Sequence, residues 1–137
     1  MKIKVKLDGG AYEPTRAHKE DAGLDLRSTV DTWVHPGEHM MIDTGVHVQI
    51  PTGYVGLITS KSGLMGKGLT VRGTIDCGFV GSIKAVMFNH GDEGYLIHKG
   101  DKICQLVLLP IITPELELVS HLDETERGAD GFGSTGR

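Results

Sequence analysis

Long apolar runs are absent from these 137 residues. A membrane-crossing helix needs about 18 or more consecutive apolar residues, so the sequence predicts no transmembrane span. The opening MKIKVKLDGG likewise lacks the apolar core of a secretory signal. Cysteine is scarce: Cys77 and Cys104 stand alone, with no C-x-x-C or Cys/His spacing around them. The seven histidines are scattered, without an H-x-x-x-H pair beside a third ligand, which argues against zinc. Together these absences predict a cytoplasmic protein with two free thiols. Positive charge is also in short supply. A formal net charge of -4 offers no general basic field, so direct nucleic-acid binding is not expected, although local phosphate pockets remain open. No segment carries a long helical period; the best candidate, SKSGLMGKGL (Ser60 to Leu69), is too short and too rich in glycine for more than a turn or two.

What is abundant is glycine, with 20 residues, about twice the ordinary share of ~7%. Glycine-bearing turns (LDGG, HPGE, PTGY, NHGDEG, HKGDK) separate short runs that alternate apolar and polar residues. These runs are KIKVKL from Lys2, LDLRSTV from Leu24, VHVQI from Val46, YVGLIT from Tyr54, SIKAVMFN from Ser82, KICQLVLLPI from Lys102 and ELELV from Glu115. Short strands at regular intervals predict an all-β domain, a distorted jelly-roll barrel or sandwich. The length suits one domain plus a tail: a β core over residues 1–123 and a flexible C-terminal arm over 124–137.

Three stretches carry more chemistry than a turn requires. SKSGL (Ser60 to Leu64) sets a lysine, two hydroxyls and a glycine where a strand ends and a helical turn begins; it reads as a Ser-capped turn or as a phosphate cradle. GTIDCGF (Gly73 to Phe79) places Asp76 between a strand residue and a Cys-Gly-aromatic turn. Asp76 reads as a turn-initiating residue or as a general base, and Phe79 as a core aromatic or as a ring that packs on a sugar. The final RGADGFGSTGR has four glycines and one large apolar residue, Phe132. Ordering about ten such residues costs on the order of 10–20 kcal/mol. The tail is therefore either a mobile terminus or a segment ordered by a polyphosphate.

With AGLDL (Ala22 to Leu26) and GDKICQLVLLP (Gly100 to Pro110), these stretches occur in an order that resembles the five-motif pattern of the trimeric dUTPase family. The resemblance runs from Ala22 to Gly136, and RGADGFGSTG is its most specific part. It implies a jelly-roll-like homotrimer with active sites between subunits, each closed by a neighbour's arm. The implied reaction is dUTP plus water giving dUMP and pyrophosphate, with Mg2+ on the phosphates; it would limit uracil in DNA and supply dUMP for dTMP synthesis.

Carried over by motif, Asp76 implies the base for the water that attacks the α-phosphorus. Phe79 implies the ring on deoxyribose. Thr74, Ile75 and Lys84 lie on the hairpin that holds uracil and sugar, mainly through backbone groups. Lys61, Ser62 and Gly63 match the phosphate loop, and Gln105 matches a phosphate-contacting glutamine. Asp25 matches an aspartate that meets the metal indirectly, through water. Arg127, Phe132, Gly133, Ser134 and Thr135 match the arm's phosphate and base contacts. Three departures stand out. Lys61 replaces the usual Arg, keeping charge but losing the bidentate fork. Phe79 replaces the usual Tyr. The segment MGKGLTVRG has no counterpart of the uracil-holding asparagine, for which Thr70 and Arg72 are the candidates. Two other readings share the fold. A dCTP deaminase relative would need a proton-handling Glu after Phe79, and SIKAVMFN has none. A regulatory module would present its nucleotide-bound state to a protein partner.

Overall fold

The computed structural model describes residues 1–137. Ten strands form along the chain: β1 (Lys4–Leu7), β2 (Gly23–Arg27), β3 (Thr32–Val34), β4 (His39–Asp43), β5 (Val46–Gln49), β6 (Tyr54–Thr59), β7 (Leu69–Ile75), β8 (Lys84–Asn89), β9 (Tyr95–Ile97) and β10 (Lys102–Pro110). The only helix is a single turn, α1 (Ser62–Met65). Six strands make one curled antiparallel sheet in the order β2-β10-β6-β7-β8-β4, and β1–β5 and β3–β9 are two-stranded ribbons. This is the all-β, jelly-roll-like architecture that the alternation predicts.

Period-two alternation decides what faces inward. Ile58 on β6, Leu69 and Val71 on β7, Ala85 and Met87 on β8, and Ile103 and Leu106 on β10 join Val46 and Val48 of β5 in one buried cluster. Each large side chain in it contributes about 1.5–3 kcal/mol by leaving water. Gly56 is required by that packing: a Cβ there would lie 2.6 Å from Ile50 Cδ1 and 2.8 Å from Leu106 Cδ1.

Two predicted runs behave differently. β1 alternates as expected, but it pairs only with β5, so Val5 and Leu7 stay exposed. ELELV forms no strand, because no neighbour within the chain lies beside it; Leu116 and Leu118 are 90% and 96% exposed. β3, β4 and β9 were not foreseen as strands. β3 and β9 span three residues each, too few to show a period, and four of the five β4 residues face solvent.

Candidate functional site

The first group of site residues gathers where β2, β6 and β10 meet. Asp25 on β2 lies opposite Gln105 on β10, which on its other side lies opposite Thr59, the last residue of β6. Lys61 follows β6 after a single residue, Ser60. Its Nζ is 2.5 Å from Asp25 Oδ1, and Lys102 Nζ is 3.0 Å from Asp25 Oδ2. The carboxylate is 3% exposed. Burial pushes its pKa up, but hydrogen bonds and charges from Lys61 and Lys102 outweigh burial and hold it below the ordinary 3.8. Gln105 Nε2 donates to the Ser60 carbonyl at 3.2 Å. Gly23 makes room for it, since a Cβ at that position would stand 2.1 Å from Gln105 Oε1.

The loop beyond Lys61 is held from below. Ser60 Oγ donates to Val71 O at 3.0 Å and accepts from Val71 N at 2.8 Å. Lys61 is itself the N-cap of α1, in extended geometry (φ -81°, ψ 133°), and no side chain caps the turn. The Ser-capped alternative is therefore not what forms. Ser62 and Gly63 are exposed at its start, where backbone N–H groups lack intrahelical partners.

Lys102 is the residue that sequence reading missed here. Three positions before Gln105, it belongs to the opposite face of a regular strand. A bulge between Lys102 and Cys104 resets the register and buries Ile103 and Cys104 in succession, which turns Lys102 to the side of Asp25. The one trace in sequence was the motif GDKICQLVLLP itself.

The second group lies on the β7–β8 hairpin. Asp76 follows β7 and is exposed; its carbonyl accepts from Phe79 N at 3.0 Å, closing the turn. The Phe79 ring lies over Gly81, where a Cβ would approach Cζ to 2.6 Å. Thr74 and Ile75 lie opposite Leu57 and Gly56, and Lys84 lies opposite Asp43. Thr70 and Arg72 line a groove of about 900 Å3 with Thr59, Ser60, Thr74 and Phe88. Within it Thr70 Oγ1 lies 2.8 Å from His90 Nε2.

The two groups do not meet within one chain. β6 and β7 are antiparallel, with Gly56 opposite Ile75 and Thr59 opposite Arg72. Asp76 therefore lies beyond one end of this ladder and Lys61 beyond the other, roughly 20 Å apart at about 3.4 Å per residue. The third group, Arg127, Phe132, Gly133, Ser134 and Thr135, touches neither by hydrogen bonding. Every hydrogen bond made by residues 112–137 stays within that stretch, such as Arg127 Nε to Asp130 O at 2.9 Å, and Phe132 is fully exposed.

A metal ligand set is not assembled by the chain. No three His, Cys, Asp or Glu side chains cluster in a way that could hold an ion, and both Asp25 oxygens carry ammonium groups. A metal-bound water at Asp25 would have to share oxygens that already accept from Lys61 and Lys102. No helix is long and apolar enough to cross a membrane.

Known proteins are similar to this chain in sequence and in fold. The chain is 43% identical over 141 residues to the deoxyuridine 5'-triphosphate nucleotidohydrolase of Clostridium tetani, with 100% of this chain and 97% of that one covered. It is 44% identical over 142 residues to the enzyme of the same name from Nautilia profundicola, with both chains fully covered. Its fold is similar to that of the Staphylococcus bacteriophage 80alpha dUTPase with dUPNHPP, at a TM-score of 0.94 and 36% identity over 99% of each chain. It is also similar to a mutant dUTPase from phage phi11 of S. aureus described as coordinating a structural Mg(II) ion (TM-score 0.83, 35% identity, 88% of this chain and 98% of that one). The family model described as dUTPase matches residues 11–136, and the chain belongs to the dUTPase family.

Proposed function

We propose that this chain is a dUTP diphosphatase, hydrolysing dUTP to dUMP and pyrophosphate at sites shared between copies in a homotrimer. The observation that carries the reading is the division of labour along the β6–β7 ladder. A carboxylate and a ring stand at one end, and a lysine, hydroxyl and glutamine pocket at the other, roughly 20 Å away. Hydrolysis at an α-phosphorus needs a base and a phosphate cradle within a few ångströms of the same nucleotide. One chain offers both but cannot close them on one molecule. A second copy can, and the unpartnered Leu116, Leu118 and Phe132 of residues 124–137 and the stretch before them suit an arm that crosses to a neighbour.

In this site Asp76 accepts the proton of the attacking water. The new bond forms between water oxygen and the α-phosphorus, the bond from that phosphorus to the bridging oxygen breaks, and pyrophosphate leaves. Phe79 packs on deoxyribose, where a 2′-hydroxyl would collide with the ring. Backbone groups of Thr74, Ile75 and Lys84 hold uracil, and a cytosine would leave them mispaired. Lys61, Ser62, Gly63 and Gln105 receive the phosphates, and Arg127, Phe132, Gly133, Ser134 and Thr135 close over them as the arm orders. Mg2+ bound with the triphosphate would offset its charge, and Asp25 would meet it only through water, since the chain offers no ligand set of its own; the chain's own part is charge and orientation.

Pyrophosphate release from dUTP, dCTP, dTTP and UTP, each supplied with Mg2+, tests the reading. Release from dUTP alone is expected, with Asp76→Asn folded but inactive. Ammonia from dCTP would instead place the chain with the deaminases, and full activity in Asp76→Asn would remove the base.

A further inference from the structure

At the foot of the β7–β8 hairpin, His47 on β5 is held by both ring nitrogens. Nδ1 lies 2.8 Å from the Val80 carbonyl oxygen, and Nε2 lies 3.0 Å from each carboxylate oxygen of Asp8. Both partners can only accept. A neutral imidazole has one N–H, so either tautomer sets a lone pair against an oxygen at one of the two contacts. Only the imidazolium donates to both.

Val80 is the residue between Phe79 and Gly81, where the ring lies. The remaining ties at this foot involve no group that titrates near neutral pH. Ile83 N donates to Val46 O at 2.8 Å, and Thr44 Oγ1 donates to Ile83 O at 2.7 Å. Of the ties that join this side of the hairpin to β5 and its neighbours, the contact to Val80 is the closest in sequence to Phe79, and it alone depends on a proton that titrates near neutral pH. We infer that protonated His47 is a positioning residue that holds the Phe79–Gly81 side of the hairpin, so that affinity for dUTP falls as His47 loses its proton. This rests on the dUTPase reading above.

The charges around the ring favour the protonated state. The Val80 carbonyl and the Asp8 side chain raise the His47 pKa above 6.5, against partial burial and against Lys6, which lies directly opposite on β1. Asp43 at the end of β4 also feels His47; its own carboxylate is engaged by the Ser82 hydroxyl and Gly45 N–H and faces Lys84 of β8. The folded-state pKa is thus above the unfolded one. The double contact is complete below about pH 6.5 and is released as pH rises through the raised value.

The test compares KM for dUTP in wild type, His47→Gln and Asp8→Asn between about pH 6 and 9, taken as the variant to wild-type ratio so that titration of the nucleotide cancels. The ratio is expected at about three- to tenfold near pH 6, closing towards one at pH 9, with kcat little changed throughout. NMR titration of the His47 ring should give a midpoint above 6.5 that Asp8→Asn lowers, and the Val80 and Gly81 amides should shift with the same midpoint. A ratio independent of pH, or amides that ignore the His47 midpoint, overturns the inference. Absence of any dUTP turnover removes the dUTPase reading instead, and the NMR titration still decides whether His47 moves the hairpin.

Discussion

Lys61 Nζ lies 2.5 Å from Asp25 Oδ1 while Lys102 Nζ takes the other oxygen at 3.0 Å, so one buried carboxylate holds two lysines at the end of the sheet proposed to receive the phosphates. The lysines are partly exposed and can rehydrate if released, which makes Asp25 a place where they wait for a better anion. Replacing it with Asn removes two charge-assisted contacts and should cost about 1–3 kcal/mol, seen as a lower melting temperature. The acid side of the stability profile supplies a second reading. Because the Asp25 pKa is held below 3.8, its contribution is present above that value and is lost as pH falls through the folded-state pKa. Asp25→Asn should therefore lose less stability than wild type on acidification below about pH 4. Parallel acid profiles would mean that the two lysines do not set the charge of Asp25.

Phe79 and Gly81 fit by a narrow margin. A methyl group at 81 would stand 2.6 Å from the ring, so Gly81→Ala must tilt Phe79 away from its seat. About a tenfold fall in kcat/KM for dUTP is expected, comparable to losing one methylene's worth of pocket fit. The ratio of dUTP to UTP should narrow with it, because the displaced ring no longer blocks a 2′-hydroxyl. Steady-state kinetics on both nucleotides reads this directly, and an unchanged ratio would mean that some other group excludes the ribose.

How far such features were legible before the structure depends on the range over which each is determined. Ile58, Met87 and Leu106 announce their inward face by alternation, a local property that any reader of the chain can see. The loop proposed to receive phosphate stands out as SKSGL because its residue types are unusual for a turn. Lys102 was not assigned, since a bulge is invisible to a period of two. His47 reads in sequence as one of the scattered histidines; its partners Asp8 and Val80 are 39 and 33 residues away, and only the β1–β5 ladder and the packing of β5 against the hairpin bring them to it. ELELV was misread for a related reason. Its alternation of Leu116 and Leu118 with glutamates is strand-like, but a strand needs a neighbour, and the chain supplies none.

The two thiols are expected to differ sharply in reactivity. Cys104 is buried between apolar neighbours beside Asp25, and burial first, then that charge, push its pKa up to about 12. Cys77 is exposed, directly after Asp76. A thiol reagent at about pH 8 should add once per folded chain, at Cys77, with the second adduct appearing only on denaturation. Bound nucleotide should slow the labelling, since the adduct and the substrate compete for the Asp76 turn. Mass spectrometry of the labelled chain identifies the site, and an adduct on Cys104 in the folded protein would show that β10 opens far more readily than its packing suggests.

The separation of Asp76 from Lys61 along the β6–β7 ladder leads to the most demanding expectation. If sites form between copies, a chain lacking the base and a chain lacking residues 127–137 are each inactive for a different reason, and each retains what the other has lost. Random reassembly of the two in equal amounts leaves a site with an intact hairpin from one chain and an intact arm from another in about a quarter of cases. Denaturing Asp76→Asn together with the truncated chain, refolding the mixture and assaying pyrophosphate release should therefore restore about a quarter of wild-type activity. Separate refolding should restore none. If the mixture stays as inactive as its parts, the hairpin and the arm serve the same site from the same chain, and only the Lys61 loop, roughly 20 Å from Asp76 along the ladder, is left for another copy to supply.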